Sequence, residues 1–166
     1  MRKVEVLGVR VEMPTNHPIV LLREEEGHRH VPIWVGAAEA SAIAYAQQGV
    51  TPPRPLTHDL LAHLLSELGH HLDAVHITKL EDSVFYAELV IDGNRRIESR
   101  SSDAIAIALR AGVPILVDDS VLEEVGVVVP DEEDDEVERF REFLDHVSAE
   151  DFEQPPGEAE DAGERD

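Results

Sequence analysis

The apolar and polar positions of the chain form two successive patterns of strands and helices. In the first pattern, β-branched and alternating runs at 4–13, 18–23 and 31–35 predict three strands separated by turns. An alanine-rich segment at 37–49 has no β-branched run and ends in a glycine suited to a helix C-terminus, so it predicts a helix. The chain is therefore expected to begin with three strands and one helix.

A proline-rich connector at 51–55 leads into the second pattern. Leucines at helical spacing between Leu56 and Leu68 predict an amphipathic helix, which Gly69 closes. Alternating runs bounded by turn residues then predict three more strands, at 74–80, 84–91 and 95–99.

The helix predicted from about Ser102 to Ala111 is apolar on all sides, which indicates that it is buried. A strand at 113–117 and a short helix at 120–125 follow it. Because both patterns place three strands before an Ala- or Ile-rich helix, an internal strand-strand-strand-helix duplication is one interpretation. Strands joined by hairpins, with helices between the blocks, predict an α+β fold: a mixed, largely antiparallel sheet with packed helices.

The charge of the chain is strongly acidic and unevenly distributed. Asp and Glu number 36 against 14 Lys and Arg, which gives a formal net charge of −22. Residues 131–166 hold 17 acidic and 3 basic residues. We therefore expect one domain over 1–130 and an acidic tail over 131–166, with one short amphipathic helix at about 136–147 and a disordered end.

The residues and motifs that the sequence lacks exclude several classes of function. The chain has no cysteine, which removes disulfides, thiol nucleophiles and thiolate metal sites. Glycine-rich phosphate loops, HExxH zinc motifs and EF-hand loops are also missing. No window approaches the roughly 20 apolar residues that span a bilayer, so we expect a cytoplasmic protein with no membrane partner.

The segment PRPLTHDLL at 53–61 carries the first candidate chemistry. Thr57 follows a proline-rich turn and is a natural helix N-cap, so His58 and Asp59 would lie in the first turn, where backbone N–H groups favour an anion. Arg54 could bind a phosphate or carboxylate through two hydrogen bonds. The alternative is structural: Thr57 caps the helix, Asp59 complements its dipole and Arg54 pairs with an acidic neighbour.

The segment ESRSSDAIAIALR at 98–110 carries the second group of candidate functional residues. Ser102 is an N-cap candidate, Asp103 falls in the first turn of an otherwise apolar helix, and Arg100 directly precedes it. Glu39 repeats this arrangement on the alanine-rich helix. Carboxylates, an imidazole and guanidinium groups at helix N-termini suit phosphodiester hydrolysis, which needs water activation, a proton donor and positive charge at the phosphorane.

These segments, IWVGAAEASAIA, PRPLTHDLL and SRSSDAIAIALR followed by VPILV, resemble in order and spacing the bifunctional nuclease domain family of bacteria and plants. The resemblance covers about residues 1–130. It implies an α+β domain that forms a wedge-shaped homodimer, with a groove as active site and activity on both RNA and DNA. Ser101 replaces the proline that usually precedes the Ser-Asp pair, and the acidic tail replaces an additional module of some members.

Combining the residues with the resemblance, we predict a nuclease that hydrolyses RNA and DNA without sequence specificity. The predicted catalytic residues are His58, Asp59, Asp103 and Glu39, and the predicted substrate-binding residues are Arg54, Thr57, Arg100 and Ser102. The metal is left open, with Mg²⁺ and Mn²⁺ as candidates. Two alternatives remain, a non-catalytic dimeric binding module for an anionic ligand or protein partner and a hydrolase of small phosphoesters; the acidic charge favours them over a nuclease.

Overall fold

The structure, a computed structural model, describes residues 1–128 as eight strands and four helices. In chain order the elements are β1 (Arg2–Glu12), β2 (His17–Glu24), β3 (Arg29–Trp34), α1 (Ala37–Gln47), α2 (Thr57–Glu67), β4 (Leu72–Glu81), β5 (Val84–Ile91), β6 (Arg95–Arg100), α3 (Ser101–Ala111), β7 (Ile115–Val117), α4 (Asp119–Val125) and β8 (Val127–Val128). The predicted acidic tail lies outside the described residues.

All eight strands belong to one sheet, in the order β6-β5-β4-β7-β1-β2-β3-β8. The strands β1, β2 and β3 form one antiparallel meander, and β4, β5 and β6 form the other. The short strand β7 joins the two meanders, antiparallel to β1 and parallel to β4. The predicted α+β fold with a mixed, largely antiparallel sheet is thus confirmed, and the repeated order of three strands and a helix is present.

The helix α3 lies at the centre of the helical layer. Its residues from Ala104 to Ala108 are buried, as its apolar sequence predicts. It packs against α1, α2 and the strands β4 and β5, and the alanines on α1 and α3 allow these helices to approach closely. This position brings the first turns of three helices towards one region of the surface.

Two helix starts differ from the sequence-based expectation. Thr57 does not cap α2; the cap is Leu56, whose backbone N–H donates to the Asp59 carboxylate at 2.8 Å. Ser102 does not cap α3 either, because the helix already begins at Ser101 and its cap is Arg100. In both cases a carboxylate three residues after the cap contacts the cap residue: Asp59 accepts from the Leu56 backbone N–H, and Asp103 accepts from the Arg100 side chain.

The leucine face of α2 is largely uncovered. Leu65 packs against the core, but Leu60, Leu64 and Leu68 are 57%, 47% and 64% exposed. Three exposed leucines on successive turns form an apolar surface of the kind that protein contacts cover. None of the helices within residues 1–128 is long and apolar enough to cross a membrane.

Candidate functional site

A groove of about 690 Å³ lies where the first turns of α1, α2 and α3 meet the end of β6. Each of these elements contributes an ionisable side chain to the groove. Glu39 comes from α1, His58 from α2, and Arg100 and Asp103 from the junction of β6 and α3. The groove therefore collects charged groups that lie far apart in the sequence.

These four side chains form one continuous chain of hydrogen bonds, called here the ionic chain. His58 Nε2 lies 2.9 Å from Asp103 Oδ1. Arg100 donates from Nε to Asp103 Oδ2 at 2.7 Å and from Nη2 to Glu39 Oε1 at 2.9 Å. The order of the ionic chain is thus His58, Asp103, Arg100 and Glu39.

The contact with Asp103 determines what His58 can do. An ionised carboxylate only accepts hydrogen bonds, so neutral His58 carries its proton on Nε2 and donates it to Asp103. Its Nδ1 then bears the lone pair, and this atom makes no hydrogen bond within residues 1–128. Since His58 lines the groove, the imidazole is arranged to accept a proton there while Asp103 holds the ring in place.

Asp103 remains ionised in this setting. Its partial burial alone raises the pKa of the carboxyl group, but the hydrogen bonds from Arg100 and His58 outweigh burial, and the pKa lies below its ordinary value. The same contact with Asp103 raises the pKa of the Arg100 guanidinium, with a smaller contribution from Glu39. Asp103 and Arg100 are therefore both charged throughout the neutral range.

Gly36 leaves room for the last member of the ionic chain. Gly36 is the cap residue of α1, and Glu39 lies in the first turn of that helix. A Cβ atom at position 36 would lie 2.3 Å from Glu39 Oε2, which is far closer than van der Waals contact. Glycine at this position allows the Glu39 carboxylate to fold back over the helix start and reach Arg100.

Asp59 lies outside the groove, although it follows His58 directly. Successive helical residues are rotated by about 100°, so the two side chains leave α2 in different directions. Asp59 lines a neighbouring pocket of about 480 Å³ together with Arg110 of α3. The guanidinium of Arg110 pairs with Asp59 and also donates to the carbonyls of Ala106 and Ala42. Asp59 thus links α2 to α3 and α1.

The three remaining predicted site residues are placed differently. Thr57 lines the groove beside His58. Arg54 is exposed in the connector before α2 and does not line the groove, and Ser102 is buried at the start of α3. The structure therefore brings together Glu39, Thr57, His58, Arg100 and Asp103, and it leaves Asp59, Arg54 and Ser102 outside.

Sequence reasoning missed the apolar side of the groove. Tyr45, Leu61 and Ile97 line it, from α1, α2 and β6, and each is at least one third exposed. Helical spacing contained a signal for Leu61, three residues after His58, and for Tyr45, seven residues after the lining residue Ala38. Nothing in the local sequence places Ile97 in the same groove.

A metal site is not preformed in the described part of the chain. Residues 1–128 contain no group of three or more His, Asp or Glu side chains positioned to hold a metal ion. In the groove, the guanidinium of Arg100 binds both carboxylates, Glu39 and Asp103. These carboxylates would have to release Arg100 before they could share a divalent cation.

Comparison with known proteins identifies relatives of this sequence. A family model described as the bifunctional nuclease domain matches residues 20–130. An uncharacterised protein of Mycobacterium tuberculosis is 53% identical over 161 residues, which cover 92% of this chain and 98% of that protein. Bifunctional nuclease 1 of Oryza sativa subsp. japonica is 30% identical over 118 residues, and these cover 68% of this chain.

The plant relatives are much longer than the region they share with this chain. The matched region is 35% of the rice protein. Bifunctional nuclease 1 of Arabidopsis thaliana is 29% identical over 108 residues, which are 61% of this chain and 33% of the plant protein. The matched region is thus about a third of each of these two plant proteins.

Proposed function

The chain belongs to the bifunctional nuclease domain family, and on this premise we propose that it hydrolyses phosphodiester bonds of RNA and DNA in the groove. One observation carries the proposal: the ionic chain orients His58 through Asp103 and sets a guanidinium beside it. A base with its orienting carboxylate and a cation serve two requirements of phosphodiester hydrolysis, activation of water and stabilisation of the phosphorane.

In the proposed reaction His58 Nδ1 accepts a proton from the attacking water. The water oxygen bonds to phosphorus, the bond from phosphorus to the leaving oxygen breaks, and that oxygen takes a proton from solvent. Asp103 stabilises the imidazolium that forms, because its carboxylate already accepts the Nε2 proton. Since water is the nucleophile, the reaction needs no 2′-hydroxyl and applies to both nucleic acids.

Arg100 faces the phosphorane in this proposal. Its Nε and Nη2 atoms bind Asp103 and Glu39, while the side chain as a whole is two-thirds exposed at the groove. The two carboxylates fix the plane of the guanidinium, which leaves its remaining N–H groups available for a phosphate oxygen. Glu39 is then a residue that positions Arg100, and Thr57 contributes a hydroxyl beside His58.

The roles of the residues outside the groove change accordingly. Asp59 acts as a positioning residue, because it holds the start of α2 through the Leu56 N–H and anchors it to Arg110. Arg54 is assigned to the path of the nucleic acid outside the groove, where its exposed guanidinium can bind a phosphate. Ser102 is assigned no contact with substrate.

A homodimer forms part of the proposal. The apolar residues of α3 are buried within the subunit, so they are not available to an interface. The exposed leucines of α2 provide one, and two copies of this face can cover each other. Light scattering should give twice the monomer mass of 18.4 kDa, and Leu64→Glu should return the particle to monomer mass. A wild-type monomer at micromolar concentration would contradict the dimer.

The activity is tested with purified full-length protein on single- and double-stranded RNA and DNA, in Mg²⁺, Mn²⁺ and chelator. His58→Ala and Asp103→Ala should each lower turnover by about 10²-fold or more. His63→Ala is the matched control, because His63 lies on the same helix, is exposed and pairs only with Glu67 among the described residues. Equal turnover of wild type and both groove variants would reject the proposed roles.

The exposure of Arg100 at the groove favours a second candidate, a binding module for an anionic ligand without catalysis. Two carboxylates already offset the Arg100 charge, so this module would hold an anion less strongly than an unpaired guanidinium would. This candidate predicts that nucleotides bind the groove, that His58→Ala changes affinity, and that no substrate is cleaved under any metal condition.

A further inference from the structure

The groove has two chemically different ends, built from the same three chain segments. Each segment contributes an ionisable residue: α1 contributes Glu39, α2 contributes His58, and the β6–α3 segment contributes Arg100. The same segments contribute Tyr45, Leu61 and Ile97, called here the apolar wall. A ligand that fills the groove therefore presents an anionic part to one end and an apolar surface to the other.

The spacing along each element sets the distance between the two ends. Leu61 follows His58 by three residues on α2, so the apolar wall begins one helical turn from the imidazole. Tyr45 follows Glu39 by six residues on α1, which at the helical rise corresponds to about 9 Å. The apolar wall thus begins within the reach of one nucleotide from the ionic chain.

The side chains of the apolar wall are available to a ligand. Tyr45 is 44% exposed and Ile97 49% exposed. The Tyr45 hydroxyl makes no hydrogen bond within residues 1–128, so the ring is held only by packing. Tyr45 is an exposed aromatic ring in the same groove as two exposed aliphatic side chains, and nucleobases stack on aromatic rings.

We infer that the apolar wall is a nucleobase subsite, and that the groove takes a nucleotide whose base is unpaired. This inference rests on the proposed function, because it identifies the anionic part of the ligand as the phosphate handled by the ionic chain. The groove volume of about 690 Å³ lies within the usual range of small-ligand sites, about 300–1,000 Å³. Single-stranded nucleic acid is then the preferred substrate class.

A duplex cannot use this subsite without opening. Its bases are stacked and paired, and moving one of them onto Tyr45 costs the energy of unstacking and unpairing. A single strand bears no pairing cost, and any base can stack, so the subsite favours single strands without reading sequence. RNA and DNA are equivalent here, because the apolar wall contacts the base rather than the sugar.

Binding is tested apart from cleavage, with adenosine 5′-monophosphate and ribose 5-phosphate titrated into full-length protein and followed by NMR. The two probes share the sugar phosphate and differ in the base. Adenosine 5′-monophosphate should bind at least about 10-fold more tightly, and Tyr45→Ala should remove most of this difference, as expected for loss of one stacked base. Tyr45→Trp should preserve it, since it retains an aromatic face.

Tyr86→Ala is the matched control, because Tyr86 is the other tyrosine of the chain, is partly exposed on β5 and does not line the groove. Equal affinity for the two probes, or a base preference that survives Tyr45→Ala, would overturn the subsite. Cleavage of single strands and duplexes at equal rates in wild type and Tyr45→Ala would also overturn it, while leaving the proposed hydrolysis intact. Conversely, Tyr45-dependent base binding without cleavage would support the subsite and reject the hydrolysis.

Discussion

The ion pair between Arg110 and Asp59 offers a direct test of how the helices that carry the groove are held together. The Arg110 side chain is 9% exposed and that of Asp59 27% exposed, so the Arg110 charge is largely removed from water and the Asp59 charge is partly shielded from it. A pair of this kind differs from an exposed ion pair, which contributes at most about 1 kcal/mol.

The destabilisation expected for Arg110→Ala follows from the contacts that the Arg110 side chain makes. Ala106 and Ala42 carbonyls each accept a bond from Arg110, but a carbonyl has a second lone pair and α1 and α3 already use the first. Loss of these two hydrogen bonds therefore lowers the free energy of unfolding only slightly. The charge-assisted bond to Asp59 contributes about 1.5–3 kcal/mol, and the buried stem of Arg110 adds packing. We expect Arg110→Ala to lower the free energy of unfolding by about 2–4 kcal/mol.

A double-mutant cycle isolates the pair from the packing. Arg110→Met keeps much of the apolar stem, and Asp59→Asn keeps the shape of the carboxylate and removes its charge. Urea unfolding of wild type, both single variants and the double variant at pH 7 should give a coupling free energy of about 1–3 kcal/mol. A coupling below about 0.5 kcal/mol would refute the reasoning, because it is typical of an exposed pair.

The pH dependence of the coupling provides a second check. Burial raises the pKa of the Asp59 carboxyl group, but the hydrogen bonds from the Leu56 N–H and Arg110 lower it by a larger amount. The pKa of Asp59 in the folded protein therefore lies below its ordinary value. The stabilisation by the ion pair is therefore complete when the pH is above the pKa of Asp59 in the unfolded chain, about 3.9. It is lost as the pH falls through the pKa of Asp59 in the folded protein. The coupling should persist at pH 5 and decline below about pH 4.

Three further predictions concern the groove and the tail. Gly36→Ala should displace the Glu39 carboxylate from Arg100 and lower turnover while leaving the urea midpoint nearly unchanged, since a flexible side-chain end can move; an unchanged turnover would contradict the role of Glu39. The stability difference between wild type and Asp103→Asn should be complete at pH 7 and narrow below about pH 4, because the folded pKa of Asp103 is lowered; a difference that is constant with pH would contradict this. Removal of residues 131–166 should strengthen nucleic-acid binding at low salt, an advantage that shrinks as salt rises; identical salt curves for the two chains would show that the tail does not repel substrate.

Periodicity predicted most of the fold because each element carries its own signal. Alternation predicted the six meander strands, and the all-round apolar sequence of α3 predicted its burial. The strand β8 has only two residues, Val127 and Val128, which is too short for any pattern to be recognised. The leucines of α2 show a different limit, since hydrophobicity alone does not distinguish a side chain of the core from one left on the surface.

The candidate site was predictable where it depended on helix starts. Glu39, His58 and Asp103 lie in first turns, and the packing of α1 and α2 on α3 brings those turns together. Asp59 could not be assigned from its position, because the direction in which it leaves the helix depends on where Arg110 lies. The apolar wall required the tertiary fold, since Ile97 belongs to an edge strand whose neighbours are fixed only by the sheet.

The net charge of the ionic chain limits how strongly the groove can hold a phosphate. The ionic chain contains two carboxylates and one guanidinium, so it carries one net negative charge when His58 is neutral and none when His58 is protonated. Attraction between charges therefore contributes little to binding, and contacts with the uncharged part of the ligand must supply affinity. The apolar wall is the part of the groove that can do so. This is why an ionic chain without net positive charge, beside Tyr45, favours a ligand that combines a phosphate with a base.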